Sequence, residues 1–345
     1  LLKVAVVGAG IMGASSALAL ADRNHQVTIF EQFEPGHRQG SSHGRSRIVR
    51  RAYPDALYTE IMQDGYPLWG ELDDRLDGGI LHEVGLVYFG GAESANLKEM
   101  IQGLARLDVA HEVLDHRSVA TILPELKLKA DELAVHTPEA GCVHADRAVM
   151  GSVGLALEAG AALRRERVSD PQELLLEFDR VVVCAGGWTS KWFTTDANVT
   201  LQTFAYVPVA TPHRGPVWIE DGPDLLYGFP SEEGVSTIKI GVHSAGRNID
   251  PDESDRTPQA DKLERISEFA AARFGARSAP VEATACLYTS TASEDFRLGQ
   301  IEERLFWASP CSGHGFKFGP WIGRLMADFV EAKRHPSEFP RFAVP

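Results

Sequence analysis

The sequence predicts an α/β fold in which a Rossmann-type nucleotide-binding domain is interleaved with an antiparallel-sheet domain. Three observations predict it. A glycine-rich turn joins a strand to a helix near the start of the chain. A second apolar strand ends in Gly-Gly near residue 186. Residues 200–290 then change to short, β-branched and aromatic segments punctuated by Pro and Gly.

Lys3–Val7 is a short apolar run suited to a buried parallel strand. It leads into Gly8-Ala9-Gly10-Ile11-Met12-Gly13, then into a stretch whose apolar residues Ile11, Ala14, Leu18 and Ala21 keep helical spacing. Val27–Phe30 is a second strand, closed by Glu31. In such a unit Gly8 permits the tight turn, Gly10 admits a pyrophosphate close to the backbone, and Gly13 lets helix and strand pack. The helix N-terminus offers free N–H groups to phosphate, and Glu31 can accept from an adenosine ribose. The motif by itself does not separate NAD from FAD.

Pro54–Leu76 reads as a helix, Gly85–Gly90 as a strand, and Ser94–Leu107 and Asp146–Ala159 as helices. Arg180–Trp188 reads as a strand, a Gly-Gly turn at Gly186, and a helix starting at Thr189-Ser190. A core strand with a plain loop would give the same pattern. A strand joining the first sheet, with its glycines facing a cofactor, favours a flavoprotein, because the nucleotide domain of NAD dehydrogenases is usually continuous. Leu201–Thr211, Val217–Glu220, Leu225–Phe229 and Val235–Val242 are extended segments crossed by an amphipathic helix over Pro258–Phe274. Leu305–Ala308 returns to a strand, and Trp321, Ile322, Leu325, Met326, Phe329 and Val330 mark a final helix. The expected FAD-binding domain is therefore discontinuous, over 1–80, 140–195 and 285–345. A substrate domain takes 81–139 and 196–284.

The 345 residues carry 34 basic and 48 acidic side chains, a formal charge of −14, which argues against nucleic acid or anionic membrane as partner. No apolar run approaches the ~20 residues of a membrane span, and no signal peptide precedes the first strand. The four cysteines, Cys142, Cys184, Cys286 and Cys311, lie far apart without C-x-x-C spacing, so neither a zinc site nor a disulfide framework is expected. A reducing, cytoplasmic setting follows. Against this acidic background, Arg45, Arg47, Arg50 and Arg51 crowd into seven residues, a cluster suited to a small anionic ligand.

Three stretches, GSSHGRSRIVRRAY at 40–53, ATACLYTSTASEDF at 283–296 and CSGHGFKFG at 311–319, together with the glycine motif, resemble the monomeric sarcosine oxidase family of amino-acid-oxidase flavoproteins. That family includes N-methyltryptophan and L-pipecolate oxidases. The resemblance implies FAD, attached covalently through Cys286, where a buried structural thiol is the plain alternative. It implies Arg50 and Lys317 as the grip on a substrate carboxylate, Arg47 beside the flavin ring, and His43 and Ser46 along the same approach. Lys239 matches the lysine at which oxygen is activated; read alone, it is a surface lysine on an edge strand. His243 and Tyr227 match pocket residues near the substrate amine and side chain. Ser41, Gly186, Gly313, Gly315 and Phe316 fall at the cofactor. Trp218 stands where a smaller residue is expected in the substrate platform, which bears on substrate size. Cys311 matches no ligand, and Arg45 and Arg51 match no site residue.

The implied activity is an FAD-dependent oxidase of a secondary or N-methyl amino acid, forming an imine and reducing O2 to H2O2, in a monomer with no membrane or nucleic-acid partner. The alternatives are a cyclic imino acid oxidase of the L-pipecolate type and an FAD-dependent dehydrogenase.

Overall fold

The computed structural model describes residues 1–344. The chain opens with β1 (Lys3–Val7), α1 (Ile11–Asp22), β2 (Gln26–Glu31) and β3 (Arg47–Arg50). It continues through α2 (Ala56–Gly65), α3 (Pro67–Arg75), β4 (Leu81–His82), β5 (Leu86–Gly91), α4 (Ala95–Arg106), β6 (Glu112–Asp115), β7 (Glu132–Thr137) and β8 (Ala140–Val143). Next come α5 (Ala145–Glu158), β9 (Ala162–Arg165), β10 (Arg180–Val183), β11 (Asn198–Pro208), β12 (Val217–Asp221), β13 (Leu226–Phe229) and β14 (Thr237–Val242). It ends with α6 (Ala260–Phe274), β15 (Glu282–Ser290), β16 (Arg297–Ile301), β17 (Leu305–Ser309) and α7 (Gly319–Val330).

Six strands form the nucleotide sheet in the order β16-β17-β10-β1-β2-β9, parallel except for the β16–β17 pair. The Gly-Gly strand β10 thus lies directly against β1, pairing Val4 with Arg180 through Val7 with Val183. α1, α5 and α7 pack together over one face of this sheet, burying Ile11, Val149, Ile322 and Met326 among its strands' apolar side chains. At the first turn Gly8 holds φ +100°, and a Cβ there would meet the Cys184 carbonyl at 2.5 Å. A Cβ on Gly13 would overlap the Gly8 carbonyl, so α1 can reach β1 this closely only without side chains at both positions.

Eight strands form the second sheet, ordered β15-β11-β14-β13-β12-β5-β7-β6. It is antiparallel apart from one parallel pairing, β12 with β5, so the expected all-antiparallel platform is in fact mixed. The cause is chain order: β5 arrives from the amino-terminal half and is inserted beside a strand from the carboxyl-terminal half. The expected domain boundary between 284 and 285 falls inside β15, which pairs with β11 from Asn198–Ser290 to Tyr206–Glu282. A small third sheet, β3-β8-β4, presents the arginine-rich strand between the two larger ones.

Two local expectations need correction. The helix expected over Pro54–Leu76 is two helices, since Pro67 lacks the N–H that would continue α2 and instead starts α3 at its first turn. No α-helix starts at Thr189-Ser190. Gly186–Lys191 is a short 3₁₀ helix, pinned by Trp188 Nε1 donating to Asp252 (2.7 Å) and by Lys191 to the same carboxylate (2.6 Å).

Candidate active site

Between the two large sheets lies a cavity of about 770 Å³. One end is the nucleotide crossover. Gly8, Gly10, Glu31 and Gly186 line it there. Gly10 is the N-cap of α1, and the Ile11 N–H behind it donates to Ser42 Oγ at 3.1 Å. Glu31 is buried at the end of β2, accepting from the N–H groups of Ala9 (2.8 Å) and Phe33 (3.0 Å). Burial opposes its charge, but His37 and the two backbone donors win and hold the carboxyl below its usual range. Gly13 does not line the cavity; its part is the close packing already described.

The loop before β3 is knitted by Arg47, whose guanidinium donates to the carbonyls of Ser41 (2.9 Å), His43 (2.6 Å) and Ser46 (3.0 Å). Ser41, His43 and Arg47 all face the cavity. His43 is buried and its Nε2 has no partner among the described residues. Burial first, then the Arg47 charge, pushes its imidazole down to about 3, so the ring is neutral at any ordinary pH.

The far end of the cavity is cationic. Arg50 and Lys317 are 8% and 6% exposed. The Arg50 guanidinium donates to the Ala52 carbonyl (2.7 Å) and the Lys317 ammonium to that of His314 (2.6 Å). Both approach the Tyr53 ring, at 4.0 Å and 5.6 Å from its centroid. Neither has a carboxylate partner among the described residues. Burial and the neighbouring Arg50 and Arg47 charges drive the Lys317 amine well below its usual value. Two desolvated cations without an anion are costly unless a ligand supplies one.

Around them stand Tyr88, Tyr227, Phe229 and His243, with Gly313, Gly315 and Phe316 entering from the turn ahead of α7. Tyr227 and Tyr288 share a hydroxyl contact of 3.2 Å, and burial raises both phenols above their usual value. Cys286 also lines the wall, 4% exposed on β15. Burial pushes its thiol up, against the pull of Arg47 and Lys239.

Lys239 is not a surface residue. It is 3% exposed on β14, an interior strand, opposite Phe229 and Tyr206. Its ammonium passes between the Phe204 and Phe229 rings (4.5 and 4.6 Å) to donate to the Ser46 carbonyl at 2.9 Å. Lys239 and Ser46 therefore lie just behind the cavity wall. Trp218 is the clear correction. It points to the opposite face of its sheet, fully buried against Phe274 at 4.6 Å and His213 at 5.4 Å, because side chains alternate along β12 and it is Ile219 that faces the cavity. Gly228 on the paired strand leaves room for its indole.

Among the lining residues that the sequence did not single out are Tyr53, Tyr88 and Glu294, and Cys311, which matched no ligand, also lines the cavity. Tyr53 and Glu294 lie inside the motif stretches, and Cys311 opens a third, but nothing in the residues alone separates a cavity tyrosine from a core one. Arg45 and Arg51 are paired off with Glu282 (3.3 Å) and Glu139 (2.9 Å).

A glycine cradle, an acceptor-only carboxylate at the end of β2, and an elongated cavity running on to buried cations define a dinucleotide-dependent oxidoreductase. The sequence profile of the FAD dependent oxidoreductase (DAO) family matches residues 3–329, and the chain belongs to that family. It is 29% identical to the "Probable sarcosine oxidase" of Arabidopsis thaliana, over 99% of this chain and 91% of that protein. It is 28% identical to the "Monomeric sarcosine oxidase" of Streptomyces avermitilis, over 95% and 93%. Its fold matches the crystal structure of L-proline dehydrogenase from P. horikoshii with a TM-score of 0.85 at 20% identity, covering 99% of each chain. Among the described residues no helix is long and apolar enough to cross a membrane.

Proposed function

We propose that the protein oxidises the C–N bond of a secondary or N-methyl amino acid to an imine, acting as a monomer in a reducing compartment. The observation that carries this reading is the pair of buried cations, Arg50 and Lys317, meeting at Tyr53 with no protein carboxylate to neutralise them. A guanidinium fork and an ammonium suit an amino acid carboxylate. The aromatic walls suit the short apolar substituent of the amine.

The described residues fit FAD. Glu31 would hold the ribose, the glycine turn and α1 terminus the pyrophosphate, and Arg47, His43 and Cys286 would flank the ring, with Cys286 the proposed point of covalent attachment. When bound, FAD would supply the two-electron acceptor for C–N oxidation and the route from it to O2, giving H2O2. The protein's own part is to clamp the carboxylate, exclude water with Tyr53, Tyr88 and Phe229, and place a cation, Lys239, behind the wall where negative charge would develop on oxygen. Free water then hydrolyses the released imine.

One observation favours a dehydrogenase instead: the Lys239 ammonium is engaged by Ser46 and does not open onto the cavity. Aerobic assay of the FAD-loaded protein with sarcosine, other N-methyl amino acids and pipecolate decides. Stoichiometric peroxide is expected. Flavin bleaching without peroxide would replace the oxidase by the dehydrogenase, and no bleaching by any of them would overturn the reading.

A further inference from the structure

One contact at the substrate end is unused by the reading above. Glu294 follows β15 and lines the cavity that also holds the cationic clamp. Its Oε1 lies 3.1 Å from His243 Nε2. The hydrogen bond from His243, opposed by burial, holds the Glu294 carboxyl below its usual range, so it is an anion that can only accept. The shared proton must then sit on His243 Nε2. In the neutral ring Nδ1 is then left with the lone pair, and it has no partner among the described residues. The imidazole ring itself is cavity-lining, packed 5.5 Å from Tyr288.

Resting on the amino acid oxidation reading, we propose that Glu294 is a positioning residue that locks His243 in the Nε2–H tautomer, making Nδ1 an acceptor for the substrate's N–H. With the carboxylate held by Arg50 and Lys317, an N–H accepted by His243 would be the second fixed point on the substrate. Two points set which C–H faces the acceptor ring. The arrangement selects amines that keep an N–H, that is, primary or secondary, over N,N-dialkyl amino acids, whose neutral form has none to give.

The other polar groups packed around this pair are accounted for. Tyr288 is engaged with Tyr227. His314 donates its Nε2–H to the Glu294 carbonyl (3.0 Å), not its carboxylate, and burial followed by the Lys317 charge keeps that imidazole neutral. Asp295 is occupied by Tyr58 (2.8 Å) and Arg341 (2.9 Å). Asp224 meets only the backbone N–H of His243 (3.1 Å), its carboxylate turning to Arg265. The charges of Glu294 and Arg50 both act on the Tyr53 and Tyr88 phenols, in opposite senses. Among the described residues no other acidic side chain competes for His243.

The test is ¹⁵N-histidine NMR of the FAD-loaded protein, with His243→Asn used only to assign the signal. The wild type should show Nε2–H with bare Nδ1. Glu294→Gln should mix the two tautomers, and Glu294→Asp should restore the single one. In parallel, anaerobic flavin reduction by sarcosine is compared with reduction by N,N-dimethylglycine. Glu294→Gln should lower the rate with sarcosine roughly tenfold and leave that with N,N-dimethylglycine unchanged, while binding of amine-free acetate stays within twofold. A wild-type Nδ1–H tautomer, or an equal loss on both amines, overturns the proposal. If no amine reduces the wild-type flavin, the oxidation reading falls with it, and the tautomer result still shows separately whether Glu294 sets the histidine.

Discussion

The Arg50 guanidinium and the Lys317 ammonium close on one tyrosine ring, Tyr53, from strands and turns at opposite ends of the chain. Neither cation has a carboxylate partner among the described residues, so each should act on a ligand's charge. Arg50→Ala and Lys317→Met should each lower kcat/KM for the amino acid about 10- to 150-fold, the equivalent of ~1.5–3 kcal/mol for a charge-assisted hydrogen bond. Steady-state assays of the two single variants and the double variant check this. The losses should not add, since both groups grip one carboxylate.

The depressed Lys317 amine gives a pH dependence with a definite sign. Its folded value lies below the unfolded one, so between the two the unfolded chain binds the extra proton, and this group makes the ligand-free protein more stable as pH rises through that window. Carboxylate affinity should run the other way, falling as pH rises and the amine loses its charge. Acetate titrations and thermal midpoints across the neutral-to-alkaline range should show both slopes, and both should flatten in Lys317→Met.

Covalent attachment through Cys286 is a proposal with a direct check. Acid precipitation of the FAD-loaded protein should leave yellow colour in the pellet, and Cys286→Ser should release it to the supernatant while Cys311→Ser retains it. A colourless wild-type pellet would mean that the flavin is held by contacts alone.

Lys239 is buried between Phe204 and Phe229 and bonded to Ser46. Lys239→Met keeps the side-chain volume and removes the charge. Reoxidation of the reduced flavin by O2 should slow at least tenfold, while anaerobic reduction by substrate changes less than threefold, measured by stopped-flow absorbance. Equal slowing of both half-reactions would assign Lys239 to the architecture of the loop at Ser46 instead.

Trp218 offers the contrasting case. As a core residue behind the sheet, Trp218→Ala should cost about 3–5 kcal/mol of stability and leave the amino acid KM near the wild-type value. Tyr227→Phe should do the reverse. Chemical denaturation and steady-state kinetics of the two variants separate the roles.

Much of this was legible from residues. The β1–α1–β2 unit declared itself because Gly8, Gly13 and Glu31 each answer a distinct physical demand at a fixed spacing. The pairing of β10 with β1 was one of two readings of a buried strand ending in glycines, the other being a core strand with a plain loop. Trp218 was misplaced because the resemblance marks a position in the sequence and not which face of β12 meets the cavity, and the tight fit of its indole over Gly228 is a cross-strand fact. Lys239 looked exposed because burial of a lysine depends on Phe204 and the Ser46 carbonyl, which come from elsewhere in the chain. Glu294 was passed over for the same reason: its partner, His243, lies 51 positions away.

The nucleotide sheet has a consequence for biogenesis. β1, made first, borders β10, and β10 in turn borders β17, so two of the sheet's five strand pairings, β10–β17 and β16–β17, wait for late segments. A nascent polypeptide emerging from the ribosome thus exposes an unfinished strand edge until residues beyond 305 appear. Holdase chaperones should engage it during that interval, and truncations before β17 should aggregate and not fold to a smaller flavin-binding core.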